Sequence, residues 1–171
     1  MMLLTRRAAM CASLAAVLLL GSAAPVGAQA GPIAHGHGSF VANNQELHTI
    51  TFNVVGLPDG SVRGHAVIRE PSTQAFVIME VSSLMFLGET LAVAGEVTKN
   101  VNAPAQHAVG STAFFSVNDY GNDPTMPDDF AGLGSVPPFL GNLTIQEIIA
   151  LIGPPPPQAF TPFLTGGVQV H

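Results

Sequence analysis

A run of alternating polarity that enters a Pro-Asp-Gly turn constrains this chain more than any other feature. Between Glu46 and Val55, His48, Ile50, Phe52 and Val54 fall on one face, and Thr49, Thr51 and Asn53 on the other. A period of two belongs to a half-buried strand and suits no helix. Leu57-Pro58-Asp59-Gly60 follows. Pro58 suits the second position of a turn, and Gly60 can take the left-handed conformation of a bulged hairpin. Ser61 to Glu70 then returns, with Val62, Ala66 and Ile68 on one face and Arg63, His65 and Arg69 on the other.

The same reading extends along the chain. Ser39 to Val41, carried back towards Ala34, is a first strand rich in glycine and histidine. Ala75 to Leu87 is nearly continuous apolar sequence, interrupted by Glu80, Ser82 and Ser83, and suits a long central strand bent at the serines. From Thr90 to Thr98, Leu91, Val93 and Val97 oppose Thr90, Ala92, Ala94 and Glu96, and Gly95 marks a bulge or a close backbone approach. Val101 to Gly110 reads as a polar loop, and Ser111 to Asp119 as a strand with Phe115 and Val117 opposite Phe114. Tyr120 to Pro138 reads as loop, being rich in Asp, Asn, Gly and Pro.

Asn142 to Gly153 is the one helical stretch. Thr144 and Glu147 have capping-box spacing, and Ile145, Ile148, Ile149 and Ile152 form an apolar stripe. Gly153 and the prolines Pro154 to Pro157 stop it. Phe163 to His171 closes the chain as a last strand. The expected fold is all-β: an antiparallel meander of about seven or eight strands, barrel or sandwich, with one short late helix.

Met1 to Ala30 reads as a secretory signal. Arg6 and Arg7 form the basic region, Ala8 to Leu20 the apolar region, and Ala28-Gln29-Ala30 a small-residue cleavage site. The expectation is a secreted or periplasmic protein cleaved near Ala30, with residues 31–171 forming one all-β domain. The single cysteine, Cys11, falls in the signal. The exported part is then held together by burial alone, without the disulfides common in small secreted domains. No segment after the signal is long and apolar enough to read as a transmembrane helix. An outer-membrane barrel would want aromatic girdles, and the chain has no Trp and one Tyr, Tyr120. Arg63, Arg69 and Lys99 face eleven carboxylates in the exported part, a balance unsuited to nucleic acid or to an anionic membrane surface.

Several short motifs resemble a loosely defined group of uncharacterised secreted bacterial β-domains. They are Gly38-Ser39-Phe40, the strand His48 to Val54, Asp59-Gly60-Ser61-Val62-Arg63-Gly64-His65, Gly95-Glu96-Val97-Thr98, the turn Asp119 to Gly121, and Gly167 to His171. The resemblance implies an exported β-domain and transfers no activity. The helix and Pro-rich stretch, residues 142–157, depart from that pattern and read as an insertion.

His35 and His37 share a strand face and are the sharpest metal candidate, against the plainer reading of exposed histidines in a glycine-rich strand. Asn118 to Asp123, with Asp128 and Asp129, is rich in oxygen ligands, but it lacks EF-hand spacing and reads first as turn chemistry. No nucleophile elbow, zinc-protease motif or phosphate loop occurs, and no cofactor is implied. Glu80 interrupts an apolar run and is the one weak catalytic candidate; a solvent-facing carboxylate is its plainer reading. Ile148, Ile149 and Phe160 are the expected ligand or partner contacts, the plainer reading being helix packing. These features point to a non-catalytic β-domain that binds a small apolar ligand or a surface partner, or serves a structural role. The alternative is a small β-barrel enzyme of cyclase or isomerase type, using Glu80 with a nearby His or Arg.

Overall fold

The hairpin around Pro58 and Gly60 forms as its residues dictate, and the pattern repeats around the molecule. Gly60 takes φ +82°, Ser61 N donates to Asp59 Oδ1 over 2.9 Å, and Leu57 N donates to Ser61 O over 2.8 Å. The computed structural model describes residues 31–121 and 125–170; the expected signal, Met1 to Ala30, lies outside them. The strands are β1 (Gly31–Val41), β2 (Leu47–Gly56), β3 (Val62–Glu70), β4 (Ala75–Leu87), β5 (Thr90–Val101), β6 (Thr112–Asn118), β7 (Asp129–Val136), β8 (Phe160–Pro162) and β9 (Thr165–Val170). One helix, α1 (Ile145–Ile152), lies between β7 and β8.

All nine strands form one antiparallel sheet in the order β8-β7-β6-β5-β4-β3-β2-β1-β9. β8 and β9 stand at opposite ends of that order, yet only Phe163 and Leu164 separate them in the chain. β8 pairs with β7, and β9 pairs with β1. Between them, Phe163 N donates to Asp128 O over 2.9 Å and Leu164 N to Ser39 O over 2.7 Å. One short run of chain therefore gathers both sheet edges, and the sheet curls into a half-barrel instead of splitting into a sandwich.

Side-chain carboxylates continue that seam where backbone pairing ends. Asp128 Oδ2 accepts from Val168 N over 2.6 Å, and Asp128 Oδ1 from Tyr120 N over 2.8 Å. Asp119 Oδ2 accepts from Val170 N over 2.7 Å. The residues Asp119 and Asp128, which resembled a calcium loop, thus hold backbone donors of β9 and of the turn after β6.

The inner face is filled by phenylalanine. Ring centroids follow one another from Phe52 to Phe115 at 5.4 Å, to Phe130 at 5.8 Å, to Phe40 at 4.4 Å and to Phe163 at 6.1 Å. β1 makes room for them by placing glycine inward. A Cβ at Gly36 would overlap the Phe52 ring, and one at Gly38 the Phe163 ring. Ile50, Val54, Met79, Leu91 and Val93 complete the core without exposure. Gly95 allows a close approach, since a Cβ there would meet the Glu80 carbonyl.

A second, smaller core lies on the outer face. Ala92 and Ala94 point away from the barrel interior yet are fully buried, because Ile145 and Ile148 of α1 pack on them. Eight residues are too few for a helix to persist alone in water. Burial supports it, and so do its ends. Thr144 and Glu147 form the capping box, and Gly153 takes φ +81° while donating to Ile149 O over 2.8 Å. Ser83 Oγ accepts from Ile145 N over 3.0 Å, and Thr112 Oγ1 accepts from Leu143 N over 3.2 Å. Outward alanine, serine and threonine on β4 to β6 are thus a seat for the helix. Among the described residues, no helix is long and apolar enough to cross a membrane.

The structure departs from the sequence reading in two places. β7 lies within the stretch expected to be loop. Its glycines lower strand propensity, but Gly134 leaves space that the Phe114 ring occupies, and pairing with β6 supplies what local preference does not. The last expected strand, Phe163 to His171, is matched by β9 alone, and β8 forms ahead of it at Phe160–Pro162, where the sequence reading places no strand, by pairing with β7.

Candidate functional site

In an antiparallel meander, every second connection emerges at the same end. The β1–β2 loop, the β3–β4 turn and the β5–β6 loop therefore meet at one mouth of the curled sheet. Between them lies a pocket of about 300 Å3. Its floor is the Phe40–Phe130 ring pair, and Ile68, Val77, Ala103 and Leu133 contribute apolar walls.

Six polar or charged side chains line this pocket: Asn43, Asn44, His48, Arg69, Glu70 and His107. The His48 ring stacks on Phe40 at 5.7 Å between centroids. Its Nε2 is buried with no hydrogen-bond partner among the described residues, and lies 3.7 Å from Glu70 Oε2, beyond hydrogen-bond reach. Glu70 is half-buried, and Ser72 Oγ approaches its other carboxylate oxygen only to 3.4 Å. Arg69 points outward at the rim, with its guanidinium carbon 5.1 Å from the centre of the Phe76 ring. His107 is buried, its Nδ1 bonded with Ser135 Oγ at 2.5 Å. Burial holds the His107 imidazole below the ordinary histidine range, so it is neutral at pH 7.

The residues singled out from sequence lie elsewhere. His35 and His37 alternate with the inward glycines and are exposed on the outer face of β1. His37 Nδ1 bonds with Thr51 Oγ1 at 2.9 Å. Among the described residues, no group of three or more His, Cys, Asp or Glu side chains is placed to hold a metal ion. Glu80 is exposed on the outer face, opposite His65 on β3 and Glu96 on β5. Ile148 is buried against the sheet and Ile149 half-buried. Both line an apolar cleft of about 360 Å3 formed by α1, the prolines Pro154 to Pro156 and the outer face of β6 and β7. Phe160 stands in β8, opposite Ala131.

Sequence reasoning placed His48 on the inward face but did not bring Glu70 or His107 to it. The available signal was topological: Glu70 ends the strand before the second upper connection, and His107 lies in the third. No protein-family model, curated protein or solved structure matches the chain.

Proposed function

We propose that this chain is an exported, non-catalytic β-barrel that binds a small, largely apolar molecule in the mouth of its barrel. One observation carries the reading: a pocket of about 300 Å3 with an aromatic floor, into which a few polar side chains converge. Pockets of that size, apolar with few oriented polar groups, are the usual form of small-molecule sites, and barrel mouths are a frequent place for them. Binding is favoured over catalysis by the geometry of the polar groups. His48 and Glu70 are too far apart to act as a bonded acid–base pair. Glu80, the carboxylate on which the enzyme reading depended, is on the outer surface.

The test is a titration of the protein, residues 31–171, with 2-phenylethanol, followed through backbone amide NMR shifts. Shifts centred on Phe40, Ile68 and Leu133, abolished by Ala103→Trp, support the reading. Shifts centred on Phe114, Ile148 and Ile149 would overturn it in favour of the cleft beneath α1. That second reading has its own support in the cleft of about 360 Å3 lined by Ile148, Ile149 and Ile152.

A further inference from the structure

The mouth pocket carries information about the charge of its ligand. Strand alternation sends Ile68 and Glu70 of β3 inward and Arg69 outward. Glu70 is thus the anionic group in the wall, only 18 % exposed in its side chain. A carboxylate accepts up to about four hydrogen bonds. This one has a 3.4 Å approach from Ser72 Oγ and a histidine nitrogen at 3.7 Å. Neither contact is a short, charge-assisted bond, so the carboxylate keeps acceptor capacity for a donor brought by a ligand.

The nearby Arg and Lys side chains are directed elsewhere, while the His48 ring nitrogen faces Glu70 at 3.7 Å. Arg69 lies over one side chain, Phe76, and the Lys99 ammonium lies 5.2 Å from the centre of that same ring. His107 is bonded to Ser135 and is neutral. The whole chain carries eleven acidic residues against five Lys and Arg, so its field favours the approach of a cation.

We infer that the mouth pocket takes a small organic amine, its ammonium group held on the Glu70 carboxylate and its apolar body laid on Phe40 and Phe130. This rests on the mouth being the binding site. The ammonium gives Glu70 a charge-assisted donor, and the aromatic floor accepts a cation-bearing apolar body at little desolvation cost.

The test uses three probes with one body and different heads: 2-phenylethylamine, 2-phenylethanol and phenylacetate, each titrated calorimetrically. The amine is expected to bind at least about tenfold tighter than the alcohol, with phenylacetate weakest. The amine's advantage should shrink as salt rises. Glu70→Gln should remove the amine's advantage over the alcohol when both are measured on that variant. Ala103→Trp should abolish binding of all three. Equal binding of the three probes, lost in Ala103→Trp, would overturn the amine inference and keep the mouth as the site. An amine preference that survives Glu70→Gln would also overturn it. Binding that persists in Ala103→Trp, or no binding at all, would remove the mouth reading itself.

Discussion

Val168 donates its backbone N–H to the Asp128 carboxylate over 2.6 Å, although the two are 40 positions apart in the chain. The same carboxylate accepts from Tyr120 N. A single side chain, 9 % exposed, thus ties the last strand to the start of β7 and to the turn after β6. Asp128→Ala leaves two backbone donors without their acceptor, one of them buried. The expected loss is about 3 kcal/mol or more, since bonds to an ionised acceptor are among the stronger ones. Asp119→Ala, at a more exposed site, should cost less. Urea unfolding of the two variants checks the ranking; an unchanged midpoint for Asp128→Ala would mean that the seam does not depend on this carboxylate.

The inward glycines of β1 carry a second prediction. Gly36→Ala and Gly38→Ala push a methyl group into the Phe52 and Phe163 rings. Each should cost about 1–3 kcal/mol, the usual range for overpacking. Gly132→Ala is the control, because nothing lies within 4 Å of a Cβ there. Phe163→Leu in the Gly38→Ala background should recover part of the loss. Equal thermal midpoints for Gly38→Ala and Gly132→Ala would contradict the packing described.

Acid should weaken the fold through His107. Burial lowers its pKa in the folded chain, so the unfolded chain takes up a proton first as pH falls. Stability from this group is present above the unfolded value, about 6.5. It declines as pH drops through that value towards the lower folded one. His107→Gln should flatten the stability profile between pH 7.5 and 5, measured by denaturant unfolding at each pH. A slope that survives the substitution would assign it to other groups.

Asp129 has the opposite sign. Burial raises its pKa, and the neighbouring Asp128 carboxylate adds to the shift. The folded chain therefore binds this proton more readily than the unfolded chain, and stability rises as pH falls through the folded value. Asp129→Asn should raise the melting temperature at pH 7, with the difference from the parent shrinking on acidification. A lower melting temperature at pH 7 would show that the ionised carboxylate makes a favourable contact.

The capped helix should open independently of the barrel. Thr144→Ala removes a cap of a kind worth about 1 kcal/mol. The affected contacts lie on the outer face, with Ala92 and Ala94 beneath. Hydrogen exchange should speed for amides of Ile148 to Gly153 and stay unchanged for Ile50 to Val54. Uniform acceleration across both sets would mean that helix and barrel unfold as one unit.

Strand and turn chemistry made much of this fold legible. β4 occupies the expected residues, 75–87, because a long apolar run between turn signals has few other uses. Its pairing with β5 shifts register between Ile78 and Met79 and again between Val81 and Ser83, the second shift falling at the serines that interrupt the run. The helix was legible from Thr144, Glu147 and Gly153, whose local bonds need no tertiary partner to be foreseen. β7 was not legible: Gly132 and Gly134 read as loop, and their strand state comes from pairing with β6. The mouth was legible only in part. His48 belongs to an alternating face, but its neighbours Glu70 and His107 are joined to it by the positions of connections, which local patterns do not encode.

The sequence by itself determined an antiparallel β-chain, the β2–β3 hairpin with its turn, the inward and outward faces of the strands it showed, and the site of helix α1. Those properties depend on contacts within a few residues: the two-residue period, glycine at positive φ, and a side chain capping its own helix. Only the tertiary structure decided between barrel and sandwich, set Glu80 outside and Glu70 in the mouth, and turned Asp119 and Asp128 into a seam. Closure is a property of the whole sheet. Its twist accumulates over every strand, and only when Phe163 and Leu164 bridge the two edges do distant residues become neighbours.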